Sequence, residues 1–179
     1  NEVFYEEVRV HDSHRLGDVD EGWTVALTTL MNERAAIGGG GAGVGSMSFT
    51  RIKELAHHLG VDEDPVTRQK LADVYIRMNV ARYTNLRAMA KIRSGQLPGP
   101  EMSIAKLSLT QNMMRTAQAL GEMLGPRLIA DTGEWGTYSW AEMVLGIPGM
   151  RVAGGTDEVM RNIVGERVLG LPKDPPVTK

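Results

Sequence analysis

Between Asp64 and the "SGQLPGP" that ends at Pro100, apolar residues recur at helical spacing without a break, and this uninterrupted stretch limits the fold most. Asp64 is a suitable N-cap and Pro65 suits the first helical position, where its missing N–H costs nothing. Leu71, Val74, Met78, Ala81 and Met89 form the predicted buried stripe, and the following Gly and Pro residues stop the helix. About thirty residues of helix span about 45 Å, which is the scale of a long bundle element. Three more stretches share the period. One starts near Gly22 and turns Trp23, Ala26, Leu27, Leu30 and Met31 to one side. A third follows Pro100, uses Ile104, Leu107, Met114, Ala117 and Leu124, and ends at Gly125-Pro126. The last opens at Thr156 and fades at "GLPKDPP". Four such helices predict an all-α chain, an antiparallel four-helix bundle.

Three segments do not fit that pattern. Residues 3–10, "VFYEEVRV", read as a single β-strand, and one strand cannot satisfy its own backbone, so its sheet is expected outside this chain. The first helix runs into "GGGGAGVG", whose glycines each cost about 0.5–1 kcal/mol relative to Ala inside a helix. That run implies a break or a surface approached closely, but it lacks the preceding strand and the Lys-Ser/Thr ending of a phosphate loop. "RLIADTGEWGTYSWAEMVLGIPGM", with two of the three tryptophans, reads as a connection too long to be passive.

Composition removes several function classes. A net charge of −2 gives no electrostatic case for nucleic acid or an anionic membrane. The absence of cysteine excludes disulfides, thiolate nucleophiles and cysteine-ligated metals. No apolar run approaches the roughly 20 residues of a membrane span and no signal peptide is visible, so a soluble cytoplasmic protein is expected. The chain starts at Asn1, which fits a segment of something longer. Eleven methionines against three Trp, four Tyr and two Phe suit a helical core with adaptable packing.

Spacing alone identifies little chemistry. His11, His14, His57 and His58 form no i, i+4 pair, so no metal site is expected, and Ser46, Ser103 and Ser108 lack a nucleophile-elbow context. Glu33, Glu122, Asp157, Glu158 and Glu166 remain as carboxylates near helix ends or glycines; read without further context, each is a solvated helix charge.

Four segments in order carry a resemblance. "NEVFYEEVRVHDSHRLGDVDEGW", "ERAAIGGGGAGVG", "SIAKL" and "GGTDEVMRNIVGERVLGLP" are together similar to the C-terminal part of the acyl-CoA dehydrogenases. The resemblance makes residues 1–18 the end of the middle β-domain, 19–170 the C-terminal four-helix bundle and 171–179 a tail. It implies FAD, a homo- or hetero-oligomer, an electron-transfer flavoprotein-type acceptor, and oxidation of an acyl-CoA to the trans-2-enoyl-CoA.

The family's reaction needs a carboxylate to remove the α-proton. Many members keep it directly before the Gly-Thr of the final motif, where this chain has Gly154. Other branches carry it on the first bundle helix directly before an arginine, and Glu33-Arg34 stands there, so the resemblance makes Glu33 the base. Arg34, Gly154 and Gly155 are then expected to line the substrate. Thr156 and Glu158 match flavin-contacting positions, and Gln118 with Gly121 resembles the "Q-x-x-G-G" stretch that reaches the FAD of a neighbouring subunit. The second glycine of that stretch is Glu122 here, and the family's "R-x-x-F-G" is absent, leaving Arg68 as the candidate for its arginine. Asp157 and Glu158 place negative charge where a phosphate would approach. These departures leave two alternatives open: a partner subunit of a heteromeric enzyme, or a helical oligomerisation module. On either, the 179 residues alone are expected to oligomerise and to hold FAD weakly or not at all.

Overall fold

The structure is a computed structural model that describes residues 2–38, 48–96, 99–173 and 175, with only the backbone at residues 34–38 and 139. Among the described residues there are six α-helices: α1 (Gly22–Gly38), α2 (Phe49–His58), α3 (Pro65–Arg93), α4 (Met102–Leu124), α5 (Ser139–Val152) and α6 (Asp157–Ile163), the last continued by a π-helical turn over Val164–Val168. Among the described residues there is no strand. The expected all-α bundle class holds, with α4 as its hub in contact with α1, α3, α5 and α6.

Helix α3 starts as its sequence dictates: the Asp64 side chain accepts the Thr67 N–H at 2.7 Å, with Pro65 in the first turn. Three cross-links fix α3 antiparallel to α4. Lys70 pairs with Glu122, the Asn112 amide donates to the Arg77 carbonyl at 3.1 Å, and Lys91 pairs with Glu101 at 3.2 Å. The main core follows that register: Leu71 and Val74 of α3 meet Ala119, Leu120 and Leu124 of α4, capped by Ile52, Leu55 and Ala56 of α2 and by Trp140 of α5. A smaller cluster of Ala88, Met102 and Ala105 closes the other end.

Two helices lie outside the four expected from the sequence. Helix α2 is capped by Ser48, which accepts the Arg51 N–H at 3.3 Å, and buries Ile52, Leu55 and Ala56 at spacings of three and four. It is short and adjoins the glycine run, which hid its period; that run, residues 39–47, lies outside the described residues. Helix α5 forms despite Pro148 within it, because Trp140, Ala141 and Ile147 bury one face, and burial on that scale offsets the roughly 3 kcal/mol cost of an interior proline.

Other expectations need correction. Residues 3–10 form no strand, and their apolar side chains stand in solvent because the described residues hold no second strand to take up the backbone. The stripe of α1 is a face largely without cover among the described residues, with Trp23 73% exposed, Leu27 and Met31 open, and Val25 and Leu30 half-buried. On α4, Met114 is exposed, whereas Lys106, Thr110 and Thr116, polar residues that a hydrophobic pattern passes over, are fully buried.

Candidate functional site

The reversal from α5 to α6 runs through Ala153-Gly154-Gly155-Thr156. Gly154 and Gly155 have φ of 67° and 107°, left-handed conformations that a side chain resists, so two glycines are required to turn the chain here. Thr156 then caps α6, its hydroxyl accepting the Val159 N–H at 3.3 Å. This is the Ser/Thr cap that the sequence implied, and it leaves the turn with almost no side-chain bulk.

Beneath the turn lies a buried polar cluster. Lys106 is 0% exposed and donates to the Gly155 carbonyl at 2.6 Å and the Arg151 carbonyl at 3.2 Å, with Asp157 Oδ1 at 3.7 Å. Asp157, 1% exposed, accepts Thr110 Oγ1 at 2.9 Å and Arg151 Nε at 2.8 Å. Burial pushes the Asp157 carboxyl up, but the Arg151 and Thr110 hydrogen bonds, with the charges of Arg151 and Lys106, outweigh it and hold the group below the ordinary aspartate range. Burial holds the Lys106 amine below the usual lysine range, opposed by Asp157. The solvated reading of Asp157 is therefore wrong. Its charge is turned inward and neutralised, so the objection that it repels a phosphate at this turn no longer applies. Glu158 does stay at the surface, where a bond to its own backbone N–H and the Thr156 hydroxyl hold its carboxyl low, and Arg161 approaches to 3.6 Å.

The other expected residues lie elsewhere. Gln118 and Gly121 are twelve and fifteen positions beyond Lys106 on α4, about 18 and 22 Å along the axis. The Gln118 amide donates to Glu122 at 3.2 Å, and Glu122 is held ionised first by Lys70 and then by Gln118. A Cβ added at Gly121 would meet only an ordinary contact with Leu128 at 4.0 Å, so packing within the chain does not require a glycine there. Arg68 pairs with Glu63 at 3.6 Å, in an open groove of about 1230 Å³ between α2, α3 and Trp135. In that groove His57 meets Asp62 at 2.8 Å, a pair the spacing did not suggest, and His58 lies edge-on to Trp135 at 5.1 Å. Among the described residues no group of three His, Asp or Glu is placed to hold a metal. No described helix is long and apolar enough to cross a membrane. Glu33 is exposed on α1, and the side chain of Arg34 lies outside the described residues.

Residues 20–169 match the family model described as acyl-CoA dehydrogenase, C-terminal domain. The chain belongs to the acyl-CoA dehydrogenase family. It is 30% identical over 182 residues to acyl-CoA dehydrogenase IpdE1 of Mycobacterium tuberculosis, covering 97% of this chain and 44% of that protein. With acyl-CoA dehydrogenase FadE34 of the same organism it shares 33% identity over 174 residues, covering 97% of this chain and 23% of the other. Among solved structures it resembles the Tcur3481-Tcur3483 steroid ACAD, with TM-score 0.75, 26% identity, and 96% and 45% of the two chains covered. A variant of that protein aligns with TM-score 0.79 at 25% identity, covering 96% of this chain and 46% of the other. The chain thus spans less than half the length of the relatives it matches.

Sequence reasoning missed Lys106 altogether and took Asp157, which it did name, for a solvated charge. "SIAKL" and "GGTDEVM" both contributed to the resemblance, but nothing in the spacing said that the lysine of one reaches the aspartate of the other.

Proposed function

We propose that this chain is the C-terminal bundle of an FAD-dependent enzyme that converts an acyl-CoA thioester to its trans-2-enoyl-CoA, with Glu33 as the base. The observation that carries this reading is the pairing of Gly154, which cannot accept a proton, with a carboxylate at the family's alternative position on α1. The chain's residues fit the cofactor: Gly155 and Thr156 of the turn are half-buried and add little side-chain bulk beside an inward-turned Asp157, and Gly121 is bare for no internal reason. Thr156, Glu158, Gln118, Gly121 and Arg68 would hold the flavin nucleotide, and Arg34, Gly154 and Gly155 would line the thioester. FAD supplies the acceptor for the β-hydrogen, which leaves as hydride.

Glu33 takes the α-proton. That proton is far less acidic than any side chain, so the base must be aimed and dry. In this chain Glu33 is exposed. Its desolvation must therefore come from the bound acyl chain and from surfaces outside the described residues, and the chain by itself would bind FAD weakly. The open faces of α1 and of residues 3–10 suit such a surface.

The names of the steroid ACAD neighbours favour a steroid acyl-CoA, and the double name Tcur3481-Tcur3483 favours a heteromeric assembly. Glu122, in place of a family glycine, supports a division of the flavin site between unlike subunits. The partner that reoxidises the enzyme would be an electron-transfer flavoprotein-type acceptor in the cytoplasm.

The test is anaerobic flavin bleaching by the full-length protein, alone and with its candidate partner subunit, on steroid and straight-chain acyl-CoA thioesters. Bleaching by the steroid thioester should fall by about 100- to 10,000-fold in Glu33→Gln with the flavin still bound. Undiminished bleaching in that variant would place the base elsewhere.

A further inference from the structure

We propose that Lys106 is a positioning residue that pins the Gly154-Gly155-Thr156 turn to α4; its role in catalysis rests on the dehydrogenase reading above. A fully buried lysine is rare, because its ammonium must leave water. A methionine would fill similar space without that cost, so the charge needs a reason. The acceptors supply it. An ammonium has three donors, and Lys106 Nζ faces three acceptors: the carbonyl of Gly155 at 2.6 Å, the carbonyl of Arg151 at 3.2 Å and Asp157 Oδ1 at 3.7 Å.

The positions of those acceptors matter more than their number. The Arg151 carbonyl belongs to the last turn of α5, where the helix dipole favours a cation, and Asp157 opens α6, where it favours an anion. Lys106 therefore joins the end of one helix to the start of the next. Between them lie the two glycines, which without restraint would be the least ordered residues of the segment. Thr110, one turn beyond Lys106 on the same face of α4, holds Asp157, and Arg151 holds its other oxygen. The turn is thus referenced to the hub of the bundle. With two N–H groups donated to backbone carbonyls and its charge paired with Asp157 at 3.7 Å, Lys106 is suited to hold backbone rather than to move a proton. A displacement of about 1 Å at a reacting centre can cost about 100-fold in rate, so a fixed turn has catalytic value.

The decisive measurement is amide hydrogen exchange in the full-length protein, read by mass spectrometry, for Lys106→Met, Lys106→Arg and the neutral pair Lys106→Met/Asp157→Asn. Lys106→Met should speed exchange across residues 153–157 by at least tenfold on the approximate scale of one lost charge-assisted bond, while residues 71–78 of α3 stay protected. Lys106→Arg should retain part of that protection. The steroid acyl-CoA bleaching rate should fall in parallel with the loss of protection. Unchanged exchange at 153–157 in folded Lys106→Met overturns the proposal, as does faster exchange with an unchanged bleaching rate. If Lys106→Met does not fold, the neutral pair, which leaves neither buried charge alone, gives the same comparison. A wild-type protein that no acyl-CoA bleaches would refute the dehydrogenase reading, and the exchange comparison, which needs no substrate, would still decide whether Lys106 pins the turn.

Discussion

Replacing Asp157 by Asn tests the buried cluster by its energetics. The substitution keeps the shape and one acceptor oxygen, which can still take the Thr110 hydroxyl, but removes the charge shared by Lys106 and Arg151. Arg151 is 40% exposed and recovers most of its loss from water, so its share is small, about 1 kcal/mol or less. Lys106 has no such recourse at 0% exposure. Removing one partner of a buried pair costs about 3–5 kcal/mol. Because the two backbone carbonyls still hold the ammonium, the lower end of that range, about 3 kcal/mol, is expected. Urea unfolding at pH 7 measures the loss. The pH dependence supplies a second check. Asp157 has a folded-state pKa below its unfolded value, so its contribution is complete above the ordinary aspartate value of about 3.9 and is lost as pH falls through the lower, folded value. The stability gap between wild type and Asp157→Asn should be flat from pH 7 to about pH 4 and narrow below that. A gap under about 1 kcal/mol at pH 7, or one that widens in acid, would refute the reasoning.

Three other substitutions probe the fold. A Cβ at Gly136 would lie 2.5 Å from Leu55 Cδ1 in the main core, at φ of 83°, whereas Gly133 has φ of 74° and open space around it. Gly133→Ala should cost about 1–2 kcal/mol of left-handed strain. Gly136→Ala should cost about 1–3 kcal/mol more from overpacking, and equal urea midpoints for the two variants would contradict the contact. Leu120→Ala, at a fully buried position of the hub helix, should destabilise by about 2–5 kcal/mol in the same assay.

The sequence made the long elements legible and the short ones not. Helix α3 could be read to its first residue because Asp64 and Pro65 specify one start and its apolar period is long. Helix α2 was missed because ten residues carry only three buried ones, beside a glycine run that interrupts any window laid across them. Helix α5 was missed because Pro148 and its neighbouring glycines are local vetoes, and the burial of Trp140 and Ile147 that overrides them depends on α4, about 30 residues earlier in the chain. The same limit applies at the turn. Thr156 as a cap could be read locally, but the inward rotation of Asp157 depends on Lys106, Thr110 and Arg151, and no helical or strand period relates residues so far apart.

The buried cluster also changes how the acidic start of α6 bears on a flavin. Counted from the sequence, Asp157 and Glu158 put two negative charges beside a turn where the family resemblance leads one to expect a phosphate or a thioester. In the folded chain one of them is neutralised from below by Lys106 and Arg151, and only Glu158 remains at the surface, with Arg161 nearby. The electrostatic penalty for an approaching anion is reduced without removing the aspartate, whose place at the helix start stabilises α6. The remaining negative charge near the other candidate positions, Glu122, is neutralised in the same way by Lys70. Both patches combine a bare backbone with a carboxylate already paired within the chain. On the dehydrogenase reading proposed above, that combination would let the chain depart from the common glycine and arginine motifs and still present surfaces that a flavin nucleotide could approach.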